Sequence, residues 1–111
     1  MKKLLVSALI FASLAAGHVN AEGNKVDVSD LKLNQTSGGV YEIDGIGKNV
    51  SGKNLANIFV HFNLLKDGVV IGEAISGANN IEPNQKFIIT APFVSAKFKP
   101  DDFKVTQIDA H

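Results

Sequence analysis

His61 is the residue most able to do chemistry in this chain. It stands in the run NIFVHFNLLKDGVVIGEA, Asn57 to Ala74, where apolar and polar residues alternate. A Ser, Thr or Cys nucleophile needs a base beside it, most often a histidine. Beyond residue 21 the other histidine is His111 and there is no cysteine. A transition-metal site takes three or four clustered His or Cys ligands, and this composition does not supply them. Alternation turns His61 to the face opposite Phe62, which reads as a half-exposed strand histidine.

Carboxylates come next. Asp101-Asp102 follows Pro100, but it lacks the Asp-x-Asp-x-Asp-Gly spacing of a calcium loop and reads as a solvated turn. Glu42 and Asp44 share one face of a strand; an acid/base couple there would need a cleft over an open sheet face. Gly45-x-Gly47 has no following helix and no Lys-Ser/Thr, so it is not a phosphate loop. Asn34-Gln35-Thr36 and Asn49-Val50-Ser51 spell glycosylation sequons, which are idle behind a bacterial-type leader. No catalytic residue, metal ligand or cofactor is expected.

The elements that position these residues begin after a leader. The first twenty-one residues, MKKLLVSALIFASLAAGHVNA, have two lysines, an apolar run and a Val-Asn-Ala end. That is the pattern of a secretory signal peptide cleaved after Ala21. The run is shorter than the roughly 20 apolar residues a membrane anchor needs, and no later segment reaches that length. With no cysteine after the run, a lipid-modified cysteine is excluded. The expected domain is residues 22–111, periplasmic or secreted.

Without Lys2 and Lys3, nine lysines face eleven carboxylates, a formal charge of −2, and there is no arginine. Nucleic acid and anionic membrane surfaces reward a basic patch, so neither is an expected partner. Small exported domains often rely on disulfides. This one must rely on its core.

Strand patterns recur between turns: KVDVSDLKLNQ, with a shift at Ser29-Asp30, then VYEIDGIGKNV, NIFVHFNLLK, VVIGEAIS, QKFIITAPF and DFKVTQID. Ile58, Val60, Phe62 and Leu64 share one face, with Phe62 at the expected centre of the core. Asp67-Gly68 suits a two-residue hairpin turn. Thr36-Ser37-Gly38-Gly39, Ser51-Gly52-Lys53-Asn54 and GANNIEPN read as turns or loops, and Pro83, Pro92 and Pro100 fall in loops or at strand ends. The expected architecture is an all-β antiparallel sandwich.

IDGIGKNVSGKNLANIFVHFNLLKDG resembles the FxLYD domain, an immunoglobulin-like sandwich of exported bacterial proteins and lipoproteins. Gly45 and Asn49 fit its Gly-x-x-x-Asn strand end, and Phe62 and Leu64 fit its Phe-x-Leu strand. Ile81-Glu82-Pro83-Asn84 resembles its later Leu-x-Pro-Gly turn. Leu65 and Lys66 replace the family's Tyr and Asp, Asp67-Gly68 makes a tighter corner, and Asn84 stands for Gly. The resemblance implies an immunoglobulin-like sandwich of about seven strands and no catalytic residues. Asn49 is expected to bond the turn after it, and Gly45 to mark a bulge or a close approach of the opposite sheet.

Opposite Phe62, the same strand carries Phe59, His61 and Leu65 among Asn57 and Asn63, with Ile46 expected to join them from a neighbouring strand. An outer sheet face normally shows water its polar residues, and an apolar patch there marks a partner surface. The expected function is a non-enzymatic module, monomeric, that binds an unidentified protein or envelope component through Phe59, His61 and Leu65. Strand addition at an open sheet edge is a second route to binding. The alternative is a proteinase inhibitor presenting the SGANN or APFVSAKFKP segment to a protease.

Overall fold

Ile58, Val60, Phe62 and Leu64 are all buried on one face of a twelve-residue strand, as their spacing predicts. The computed structural model describes residues 25–95 and 97–111; the proposed leader, residues 1–21, lies outside them. The described chain is all-β: β1 (Val26–Ser37), β2 (Val40–Asn49), β3 (Leu55–Lys66), β4 (Val69–Ile81), β5 (Lys86–Val94) and β6 (Asp102–Ala110). Two antiparallel three-stranded sheets result, ordered β1-β2-β5 and β4-β3-β6. The described residues thus form six strands, where the sequence led us to expect about seven.

Two hairpins supply the frame. Gly38-Gly39 joins β1 to β2, and Asp67-Gly68 joins β3 to β4. Asp67 and Gly68 have φ of 51° and 80°, the double positive φ of a hairpin turn that matches strand twist. Strands β5 and β6 then add to β2 and β3 respectively. The chain crosses between sheets at residues 50–54, 82–85 and 95–101.

The inner faces meet in one core that includes Val28, Ile43, Leu55, Phe62, Ile89 and Ile108. Phe62 is 1% exposed, and its ring meets Phe103 edge-on with centroids 6.1 Å apart. Facing glycines make room for two further rings. A methyl group at Gly47 would overlap the Phe87 ring on its partner strand, and one at Gly72 would overlap Phe93.

Four details differ from the sequence reading. Gly77 to Ile81 is strand, not loop: β4 keeps pairing as far as Leu55–Ile81. The turn shrinks to Glu82–Gln85, where the Gln85 N–H bonds the Glu82 carbonyl at 3.0 Å. Asn84 takes a φ of 68° in it, a left-handed position that Asn tolerates almost as Gly does, after a proline that presets the turn.

The crowding at Gly45 comes from the neighbouring strand. Asp30, at φ 57°, bulges β1 between Ser29 and Lys32 and drives Leu31 against Gly45. Pro92 lies inside β5, opposite Glu42, on an edge strand where its missing N–H leaves no central ladder bond unmade. Ile46, last, sits in the other sheet, paired with Ile88. The β2–β3 connection changes sheets, so sequence neighbours are not sheet neighbours here.

Candidate functional site

The outer face of the β4-β3-β6 sheet is built by the residues of β3 that alternate with its core positions. Phe59 is 40% exposed, and its ring lies beside Gly77 of β4, where no side chain intervenes. His61 follows, half-buried, opposite Ile75 of β4, which is 48% exposed. Leu65 is half-buried at the hairpin end, opposite the exposed Val70. Phe59, His61 and Leu65 therefore share a face as expected. Ile75 and Val70 complete its apolar part in place of Ile46.

The polar centre of this face is a histidine–carboxylate pair. His61 Nε2 lies 3.0 Å from Asp109 Oδ2, and Gln107 Nε2 donates to Asp109 Oδ1 at 2.6 Å. A carboxylate only accepts, so the proton of this bond belongs to His61 Nε2. The Gln107 bond is the largest influence on the Asp109 carboxyl; burial, which comes second, opposes it, and the His61 bond with the His61 and His111 charges adds to it, so that the carboxyl is held below its ordinary range.

Asp109 reaches this face because of a bulge. From Phe103 and Val105, simple alternation would carry residues 107 and 109 inward. The register shifts between His61–Gln107 and Phe62–Val105, leaving Thr106 as the extra residue. Ile108 and Ala110 then fill the core while Gln107 and Asp109 turn outward.

An imidazole bonded to a carboxylate is the pairing that orients the base of a hydrolytic triad, and a triad would need a nucleophile beside His61 as well. The hydroxyl of Thr106 donates to the His61 backbone carbonyl at 3.3 Å, not to its ring. No Ser, Thr or Cys side chain among the described residues bonds the imidazole, so the arrangement orients His61 without a nucleophile.

The remaining candidates are dispersed. Glu42 and Asp44 lie on the outer face of the other sheet, where Asn34 Nδ2 donates to Asp44 Oδ2 at 2.5 Å. A hydrogen bond with Asp44, then partial burial and charge repulsion, raise the Glu42 carboxyl above its ordinary range. Asp101 Oδ2 accepts the Asp67 N–H at 3.2 Å and lies 3.7 Å from Lys66 Nζ, tying the β6 entry to the hairpin. Asp102 Oδ1 accepts the Phe103 N–H. Among the described residues no group of three or more His, Cys, Asp or Glu side chains could hold a metal ion. No helix among them is long and apolar enough to cross a membrane.

Among the residues that carry the resemblance, Asn49 makes the most bonds. Asn49 is fully buried. Its Nδ2 donates to the carbonyls of Lys53 and Ile81, both at 2.8 Å, and its Oδ1 accepts the Ser51 N–H and hydroxyl at 2.9 and 2.7 Å. Its backbone N–H bonds Gln85 O and its carbonyl accepts Asn84 N–H. One side chain thus joins the end of β2, the turn after it and the end of β4. Both amide protons are committed, which leaves this sequon asparagine no free nitrogen for a glycan.

Comparison with known proteins returns no match among family models, curated proteins or solved structures.

Proposed function

We propose that this chain is a periplasmic or secreted FxLYD-like, immunoglobulin-type sandwich that binds a protein of the cell envelope and catalyses no reaction. The observation that carries the reading is the outer face of the β4-β3-β6 sheet. Phe59 and Ile75 stand open to solvent there, flanking a fixed His61–Asp109–Gln107 cluster. Exposed apolar anchors around an oriented polar centre suit a protein surface that supplies an aromatic or aliphatic contact and a hydrogen-bond acceptor or donor. The signal-like leader supports export, and the Asn49 latch and the Pro83-Asn84 turn support the family resemblance. The test is affinity capture with crosslinking in the native envelope, comparing the wild type with Phe59→Asp and Ile75→Asp.

A second reading keeps one observation in its favour. Phe98 is 48% exposed in the connection between β5 and β6, and its N–H is held by Ser95 Oγ at 3.0 Å. A braced loop with an exposed aromatic tip suits an inhibitor. The SGANN segment no longer serves, since it is paired in β4. A protease panel with the wild type and Phe98→Ala separates this reading from the first.

A further inference from the structure

Each sheet leaves two edges, β1 and β5 in one, β4 and β6 in the other. Among the described residues, three of them are guarded. Strand β5 contains Pro92 and packs along β4, and β1 is interrupted by the Asp30 bulge and by a second shift after Gln35. Proline, bulges and coverage are the devices that stop an edge from pairing. Strand β6 is different. It meets β1 sparsely, and Lys25, the residue before β1, donates from Nζ to the Ala110 carbonyl at 3.1 Å. Leu31 and Leu33 of β1 and Phe103 and Val105 of β6 pack on the core yet stay only partly buried.

The backbone of β6 is oriented for pairing. His111 exchanges backbone hydrogen bonds with Asn57 of β3, so alternation turns the Ile108 N–H and C=O away from β3, and the inward-facing Val105 shares that orientation. The outward side chains of β6 are Asp102, Lys104, Gln107 and Asp109. Charges on an edge oppose pairing in general, and permit it in the register that matches them.

We propose that two copies of this chain pair edge to edge through β6, antiparallel about a two-fold axis, with Lys104 of each copy opposite Asp109 of the other. This register sets Val105 opposite Ile108 and Phe103 opposite Ala110, so the inward apolar residues of both copies stay on one face. The Val105–Ile108 pairs carry the backbone hydrogen bonds. Lys104 and Asp109 occupy the pair between, where side chains stand closest. The axis passes between Thr106 and Gln107, and each ion pair occurs twice, as an isologous contact requires. Sliding one strand by two residues sets Asp102 against Asp109, like against like. Sliding it the other way sets Ile108 opposite Gln107, which face opposite sides of the sheet. The product is a continuous six-stranded sheet, β4-β3-β6 and its copy, that lays the two Phe59 faces side by side. It shares Asp109 with the polar cluster of the face proposed above, whereas Lys104 lies outside that cluster, and it is proposed in place of the monomer expected from size.

The experiment is sedimentation velocity on the protein in the form its cell exports, its N-terminus read by mass spectrometry, at low and high salt. The expected result is a concentration-dependent dimer that high salt weakens. Lys104→Asp and Asp109→Lys, each with an unchanged circular dichroism spectrum, weaken self-association by about tenfold or more, because each doubles a like-charge contact. An equimolar mixture of the two variants restores the dimer, since every facing pair is then opposite in charge. A wild type that stays monomeric at hundreds of micromolar, a dimer indifferent to both substitutions, or a mixture that stays monomeric would each overturn the proposal.

Discussion

Asn49 and Ile81 lie 32 residues apart, and the Asn49 amide bonds the Ile81 carbonyl at 2.8 Å in a fully buried setting. The bond joins the end of β2 in one sheet to the end of β4 in the other. Because the same side chain also bonds Lys53 and Ser51, its loss would strand several polar groups at once.

Asn49→Leu should therefore cost about 2–5 kcal/mol, since each buried group left unpaired costs about 1–3 kcal/mol. Asn49→Asp should cost a similar amount, because a carboxylate cannot donate to two carbonyls. Urea unfolding checks both: the midpoint should fall with the slope unchanged. A midpoint within error of the wild type would show that the latch is dispensable.

The Phe87 ring occupies the space over Gly47. Gly47→Ala should destabilise by about 1–3 kcal/mol through overpacking. In a double-mutant cycle with Phe87→Leu, the two costs should sum to more than the double variant's cost, since a smaller side chain admits the methyl group. Strict additivity would count against this packing.

Two carboxyls set opposite pH slopes. Asp109 is held below its ordinary range, so its ionised form is favoured in the native state. That stabilisation is complete above the unfolded carboxyl range and is lost as pH falls through the folded value. Glu42 is held above its ordinary range, so the native state favours its neutral form. Its contribution is lost as pH rises from the unfolded to the folded value. Asp109→Asn should flatten the acid limb of the stability curve, and Glu42→Gln should raise stability at neutral pH relative to acid pH. Stability profiles of both variants parallel to the wild type would contradict these assignments.

How much of this was legible beforehand varied with the range of the interaction. Local signals read well: the alternation through Ile58 and Leu64, the Asp67-Gly68 corner and the shift at Asp30 all sit in the structure where the sequence puts them. The end of β4 did not, because Gly77-Ala78-Asn79-Asn80 has turn composition and is held as strand by its partner β3. Tertiary pairing overrode propensity. The His61–Asp109 pair was hidden for another reason: 48 residues separate its members, and the Thr106 bulge reverses the face on which Asp109 falls. Ile75, the missing member of the apolar face, needed only the hairpin register with one extra residue near Ile71.

Phe62 and Phe59, three residues apart in one strand, should respond in opposite ways. Phe62→Ala removes a fully buried ring and should cost about 3–5 kcal/mol. Phe59→Asp touches a solvent-facing position and should change stability by about 0.5 kcal/mol or less. Thermal or urea unfolding of the two variants side by side checks the assignment of faces.

The proposed function rests on what Phe59 and Ile75 touch in the cell. Crosslinked capture from the native envelope, with wild type and the Phe59→Asp/Ile75→Asp double variant run in parallel, measures it directly. The account predicts one stoichiometric envelope protein with the wild type, lost with a double variant whose urea midpoint is unchanged. The same protein captured by both, or by neither, would contradict the assignment of this face as the binding surface.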